Sequence, residues 1–188
     1  MTACTSPDLV IPGSQGVIPD LIRDPVRGTD WAAAQGRNDG VVAWKLAAFD
    51  DLSVHELYQV LQLRTEVFAV EQNCAFQDMD GADAQAVHLM GTRDGQLVAY
   101  ARCFPAGVKF VEASIGRVVT RRLARGSGLG HLLMQRCVTA VRELWGAQAI
   151  RIGAQAHLER FYNSHGFVDV GMPYMEDGIA HIEMLRPA

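Results

Sequence analysis

The sequence turns on Arg125-Gly126-Ser127-Gly128-Leu129-Gly130, a glycine loop set between a strand-like run and a helix-like run. Residues 114–120, Ser-Ile-Gly-Arg-Val-Val-Thr, lead into it as a largely apolar, β-branched stretch. Behind it Leu129, Leu132, Leu133, Cys137, Ala140, Val141 and Leu144 recur at helical spacing, and Gly146 stops the pattern. The glycines remove the Cβ atoms that keep a backbone away from a ligand. The helix start adds unpaired N–H groups and the positive end of its dipole. Strand, loop and helix start together form an anion cradle, suited to a phosphate or pyrophosphate.

The remaining periodicities place this unit in one folded domain, residues 41–188. Residues 41–46 read as a first strand. Ser53 and Glu56 form a capping box, and Leu57, Val60, Leu61, Arg64 and Phe68 follow at helical spacing. Two strand-like runs, 88–93 and 96–104, flank Asp94-Gly95, a strong hairpin signal. Residues 149–154 read as a buried strand and 157–165 as a short helix ended by Gly166. A closing hairpin begins at 167–170, turns at 176–178 and ends with 181–185. The expected class is α/β (α+β), a mixed, mostly antiparallel central sheet with helices on both faces. Residues 1–40 differ: Pro7, Pro12, Pro19 and Pro25 with interspersed glycines spoil helix and central strand alike. They are expected to be a disordered or mis-assigned N-terminal extension.

Composition narrows the function. A formal net charge of −4 gives no basic face for nucleic acid. No apolar run is long enough to span a membrane. Cys4, Cys74, Cys103 and Cys137 form no CxxC pair, which speaks against zinc and a disulfide framework and fits a reducing cytoplasm. Asp78, Asp80, Gly81 and Asp83 resemble a calcium loop only superficially, because Asp83 and Leu89 occupy the positions that need glycine and glutamate. No metal is expected.

Three glycine signatures compete for the cradle. No Lys-Ser or Lys-Thr is present, so the nucleotide triphosphate P-loop fails. The dinucleotide pattern GxGxxG fails at its third glycine, where His131 stands. The pattern RxxGxG is met by Arg125, Gly128 and Gly130. A strand later comes Phe161-Tyr162-Asn163-Ser164-His165-Gly166-Phe167. Strand, RxxGxG loop, helix, strand and FYxxxGF together resemble the Gcn5-related N-acetyltransferase (GNAT) superfamily. The strings at 64–74, 78–83, 115–118, 153–158 and 177–182 resemble its ElaA-like subgroup.

That resemblance implies the acyl-CoA N-acyltransferase fold, with acetyl-CoA as acyl donor and a small-molecule or peptide amine as acceptor. Transfer would be direct, in a ternary complex. It places Arg125, Gly126, Ser127, Gly128 and Gly130 on the pyrophosphate and Val118, Val119 and Thr120 along pantetheine. A backbone N–H at Val118 or Val119 would polarise the acetyl carbonyl. Arg121 and Arg122 would lie near the phosphates. Tyr162 would protonate the leaving sulfur. The general base stays open among Glu71, the Asp78/Asp80/Asp83 group, His157 and His181, because the strand before the loop carries Arg117 and no acid. Arg64, Phe68, Gln72, Asp78 and Asp80 are expected at the acceptor. Two other readings remain: an acyltransferase like the acyl-homoserine lactone synthases, taking acyl-carrier-protein thioesters, and a non-catalytic acyl-CoA-binding module. The oligomeric state is not readable.

Overall fold

The computed structural model describes residues 41–188. The proline-rich stretch 1–40 lies outside the described residues. The chain runs β1 (Ala43–Ala48), α1 (Val54–Arg64), β2 (Val87–Arg93), β3 (Gln96–Phe104), β4 (Ala113–Thr120) and α2 (Leu129–Trp145). It continues through β5 (Ile150–Gln155), α3 (Glu159–Asn163), β6 (Val168–Asp169), β7 (Tyr174–Glu176) and β8 (Ile179–Arg186). No described helix is long and apolar enough to cross a membrane.

All eight strands form one sheet in the order β1-β2-β3-β4-β5-β8-β6, with β7 also on β8. Every pairing is antiparallel except β4 with β5. Strand alternation sends Leu89 and Ala101 to one face, where Leu133, Cys137 and Val141 of α2 bury them. Met90 and Tyr100 go to the other face, against Val60 and Leu63 of α1. Both faces are therefore covered, as the apolar pattern requires.

Local signals explain the boundaries. The Ser53 hydroxyl accepts from the Glu56 N–H at 3.2 Å, and the Glu56 carboxylate accepts from the Ser53 N–H at 2.9 Å. This capping box starts α1. Asp94 and Gly95 both take positive φ, +50° and +75°, as a tight hairpin turn demands. In α2 the buried set includes Met134, while Leu132 is partly exposed, so the apolar stripe is rotated slightly from the expected one. The expected closing hairpin contains a further short strand, β7.

Two departures from regular structure shape the middle of the molecule. First, α1 does not end at Arg64 but widens into a π-helical turn, Thr65–Glu71. Gln72 N–H donates to Val67 O at 3.2 Å and Cys74 N–H to Ala69 O at 3.1 Å, both five residues back. Second, β4 and β5 pair only at Ala113–Ile150 and Ser114–Arg151. Beyond that point β5 stays with β8 and β4 stays with β3, so the sheet forks.

β4 also bulges. Its register on β3 passes from Gly116–Arg102 to Val119–Tyr100, leaving Arg117 and Val118 opposite the single residue Ala101. Arg117 has φ +51°, a left-handed conformation that a β-bulge usually assigns to glycine.

Candidate active site

A cleft of about 680 Å³ occupies the fork between β4 and β5. One wall holds Val118, Thr120, Arg125, Gly130, Leu158, Phe161 and Tyr162. The facing wall comes from the π turn, the following loop, β5 and the β7–β8 hairpin. Because β5 leaves β4 after Ser114, the backbone of β4 from Ile115 onward has no strand on its β5 side. That edge can bond an extended ligand arm as a missing strand would.

The glycine loop reaches the cleft through Arg125 and Gly130, while Gly126, Ser127 and Gly128 are exposed and lie outside its lining. Gly126 and Gly128 have φ +82° and +78°, and a Cβ built on either would meet nothing within 4 Å. The left-handed backbone thus explains these glycines, and the space in front of them is open to a ligand. Gly128 is the cap of α2 and has no side chain to satisfy the first N–H groups, which leaves them for an anion. Gly130 differs: a Cβ there would make an ordinary 3.7 Å contact with the Phe161 ring. The Ser127 hydroxyl donates to Ala124 O at 3.0 Å, so its part in the loop is to close the turn. These residues fit a pyrophosphate through backbone donors.

Arginines near the loop are largely engaged. Arg125 donates from Nε and Nη2 to Thr120 O, at 3.1 and 3.0 Å, and its guanidinium also pairs with Glu71 across the end of the cleft, with Nη2 to Oε2 at 3.0 Å. Arg121 donates to Glu66 at 2.8 Å and to Leu97 O at 3.1 Å. Arg122 is exposed.

Tyr162 lines the cleft from α3, with its ring packed edge-on to Phe161 and Phe167. Burial, helped by the neighbouring Cys137 thiol, pushes the phenol pKa upward. The group therefore stays a proton donor throughout the neutral range.

The four base candidates separate. Glu71 lies in the cleft, but its hydrogen bonds to Arg125 hold the carboxyl below its ordinary pKa, which weakens it as a base. His157 is an exposed lining residue. His181 of β8 is better placed. Its Nδ1 donates to Ile179 O at 2.9 Å, and Tyr174 stacks on its ring with 5.6 Å between centroids. A neutral imidazole held this way presents Nε2 as acceptor. The nearest carboxylate, Glu176, is 4.0 Å from Nε2.

The acid group is a correction to the expected acceptor site. Arg64, Asp78 and Asp80 do not line the cleft. Arg64 is fully buried and donates to Asp78 Oδ2 and to Asp83 Oδ1, both at 2.7 Å. Asp78 is 5% exposed and also accepts from Arg117 Nε at 2.7 Å. Asp80 accepts from Arg102 at 2.8 and 3.0 Å and from Lys109 at 3.0 Å. Burial opposes the charge on Asp80, but Arg102 and Lys109 more than reverse this and hold its carboxyl far below the usual range. Arg64 and Asp78 are buried charges that must be paired, and Asp80, though exposed, is held by Arg102 and Lys109, so neither carboxylate is free to act as a base. Phe68 and Gln72, by contrast, do face the cleft.

Several lining residues carried no role in the sequence. Gln155 reaches from β5 to Gln72, donating from Nε2 to Oε1 at 3.1 Å. Cys74 donates to Asp177 O at 3.4 Å, joining the loop to the β7–β8 turn. The Tyr174 hydroxyl lies 2.6 Å from where a Gly153 Cβ would stand, so β5 must be bare there. These contacts cross between distant segments, and no local pattern announces them.

The comparisons agree with this geometry. Residues 49–186 match the family described as an acetyltransferase (GNAT) domain. Protein ElaA of Escherichia coli K12 is 41% identical over 148 residues, covering 78% of this chain and 97% of ElaA. The crystal structure of E. coli ElaA superposes with a TM-score of 0.73, covering 78% of this chain and 99% of that one. The crystal structure of an acyl-CoA N-acyltransferase from Pseudomonas aeruginosa is 47% identical, with a TM-score of 0.75 and coverage of 78% and 99%. A match that runs from just after β1 to the end of β8, with relatives this similar along nearly their whole length, makes this chain a member of the GNAT acyltransferase family, close to ElaA.

Proposed function

We propose that this protein is an N-acetyltransferase that moves an acetyl group from acetyl-CoA to an amine, directly and in a ternary complex. The observation that carries this reading is the fork. It opens one edge of β4 beside the glycine loop, in a cleft that Tyr162 and His181 both line. Acetyl-CoA supplies the activated acyl group. The loop N–H groups from Gly126 to Gly130 hold its pyrophosphate, and residues 118–120 bond its pantetheine arm. A backbone N–H at Val118 or Val119 polarises the thioester carbonyl. His181 Nε2 accepts a proton from the incoming ammonium, and the Tyr162 hydroxyl protonates the departing sulfur. The similarity to the Pseudomonas acyl-CoA N-acyltransferase supports the donor class. The amine enters from the side of Phe68, Gln72 and the β7–β8 turn.

An acetyl-CoA-dependent thiol-release assay over a panel of amines tests the reading. Turnover with at least one amine, and an N-acetylated product by mass spectrometry, is the expected result. Acetyl-CoA that binds and is never consumed would leave only a binding module.

A further inference from the structure

The bulge on β4 is built on a residue poorly suited to it. A left-handed backbone disfavours an L side chain by roughly 1–2 kcal/mol, and such a conformation persists only where its surroundings hold it. Arg117 is held at both ends. Its backbone belongs to the β3–β4 ladder, between the paired residues Gly116 and Val119. Its guanidinium donates from Nε to Asp78 Oδ1 at 2.7 Å and from Nη2 to Asp78 O at 3.2 Å. The rings of Phe68 and Phe76 lie 5.8 and 5.6 Å from its central carbon. Asp78 in turn is anchored from behind by the fully buried Arg64, through both a carboxylate oxygen and its carbonyl. Arg64 is fastened to Asp83, and Asp83 to Arg102 of β3. The chain of ion pairs therefore leaves β4, passes through the loop that walls the acceptor side, and returns to the neighbouring strand.

We propose that Arg117 is a positioning residue: its ion pair with Asp78 fixes the β4 bulge, and so aims the Val118 or Val119 N–H at the thioester carbonyl while tying that donor to the acceptor wall. This rests on the acetyl-CoA reading above. Arg117 lines the cleft, but its Nε and Nη2 are taken up by Asp78, which Arg64 also engages, so its effect on the reaction passes through the backbone rather than through contact with the acyl group. The same linkage gives loop 72–83 a definite place relative to the reacting carbon, since Asp78 belongs to that loop and Arg117 to the bulge.

The test is isotope-edited infrared spectroscopy of [1-¹³C]acetyl-CoA bound to the protein. Wild type is expected to lower the carbonyl stretch relative to free acetyl-CoA. Arg117→Ala, which removes the tether and keeps the backbone strain, is expected to lose at least about half of that shift, while acetyl-CoA affinity changes by less than about three-fold because the glycine loop is untouched. Arg117→Lys, whose ammonium can still reach Asp78, is expected to keep most of it. Arg117→Leu also removes the tether and keeps the backbone strain, and serves if the alanine variant does not fold; the same loss is expected. A full wild-type shift in the alanine or leucine variant overturns the proposal, as does a lysine variant that loses as much as alanine. Wild type that fails to bind acetyl-CoA overturns the donor reading itself, which is a different result from any of these.

Discussion

The wall proposed to face the acyl donor presents bare backbone at β4 and the glycine loop, whereas the wall proposed to face the acceptor is tied together by side chains. On the donor wall, β4 lacks a partner beyond Ser114, and Gly126 and Gly128 present bare left-handed backbone with nothing within 4 Å of a Cβ. On the acceptor wall, the π turn Thr65–Glu71 and the loop after it are held by Arg64, Asp78, Asp83 and Arg102, and Gln155 and Cys74 make further bonds across it. Backbone donors suit a cofactor shared by many enzymes, because peptide N–H groups have the same chemistry in any sequence. Side-chain contacts suit the substrate that varies. The difference implies that the donor wall tolerates side-chain changes outside its glycines and Tyr162, whereas the acceptor wall depends on particular pairs.

The largest effect is expected at Tyr162, the proposed proton donor. Tyr162→Phe removes the proton donor but keeps the packing against Phe161 and Phe167. Acetyl-CoA binding is expected to survive while kcat falls by about 10²–10⁴. Steady-state kinetics with an active amine decide it, and wild-type kcat would make Tyr162 a packing residue only.

Next is the acceptor wall. Arg64→Leu would strand Asp78 and Asp83 without their buried partner. Removing one side of a buried pair costs about 3–5 kcal/mol, so a clear fall in Tm is expected in thermal melts. A variant as stable as wild type would show that the network is not what holds this wall.

The donor wall breaks differently. Gly128→Trp puts a large side chain on a left-handed residue in the open space of the cradle. Calorimetric titration is expected to show acetyl-CoA affinity lowered by at least about ten-fold, in keeping with loss of one or more charge-assisted hydrogen bonds. Unchanged affinity would remove the loop from the donor site.

The smallest effect is expected at the pair that spans the cleft end. Glu71→Gln weakens an ion pair with Arg125 in which both side chains are partly exposed. Such pairs contribute up to about 1 kcal/mol, so KM for acetyl-CoA should change by no more than about five-fold. A loss of kcat comparable with that of Tyr162→Phe would instead return Glu71 to the role of base, in place of His181.

The two walls also differ in how far the sequence reveals them. The donor wall is local: strand, glycine loop and helix lie within residues 114–145, and their periodicities and glycine spacing are visible directly. The hairpin at Asp94-Gly95 and the capping box at Ser53 are legible for the same reason. The acceptor wall is not local. Arg64 and Asp78 read as exposed, polar, substrate-facing residues, and only the partners brought to them by the fold turn them into a buried network. The π turn has no distinctive periodicity over so few residues, which is why a regular helix running to Phe68 is the natural reading. The bulge is hidden because Arg117 stands where such a conformation ordinarily selects glycine.

The central claim is that the glycine loop is a cradle for free coenzyme A thioesters, and a donor competition tests it most directly. Acetyl-CoA and an acetylated acyl-carrier protein are supplied together with an active amine, and the loss of each thioester is followed by mass spectrometry. Acetyl-CoA is expected to be consumed and the carrier thioester left. Consumption of the carrier thioester with acetyl-CoA untouched would contradict it.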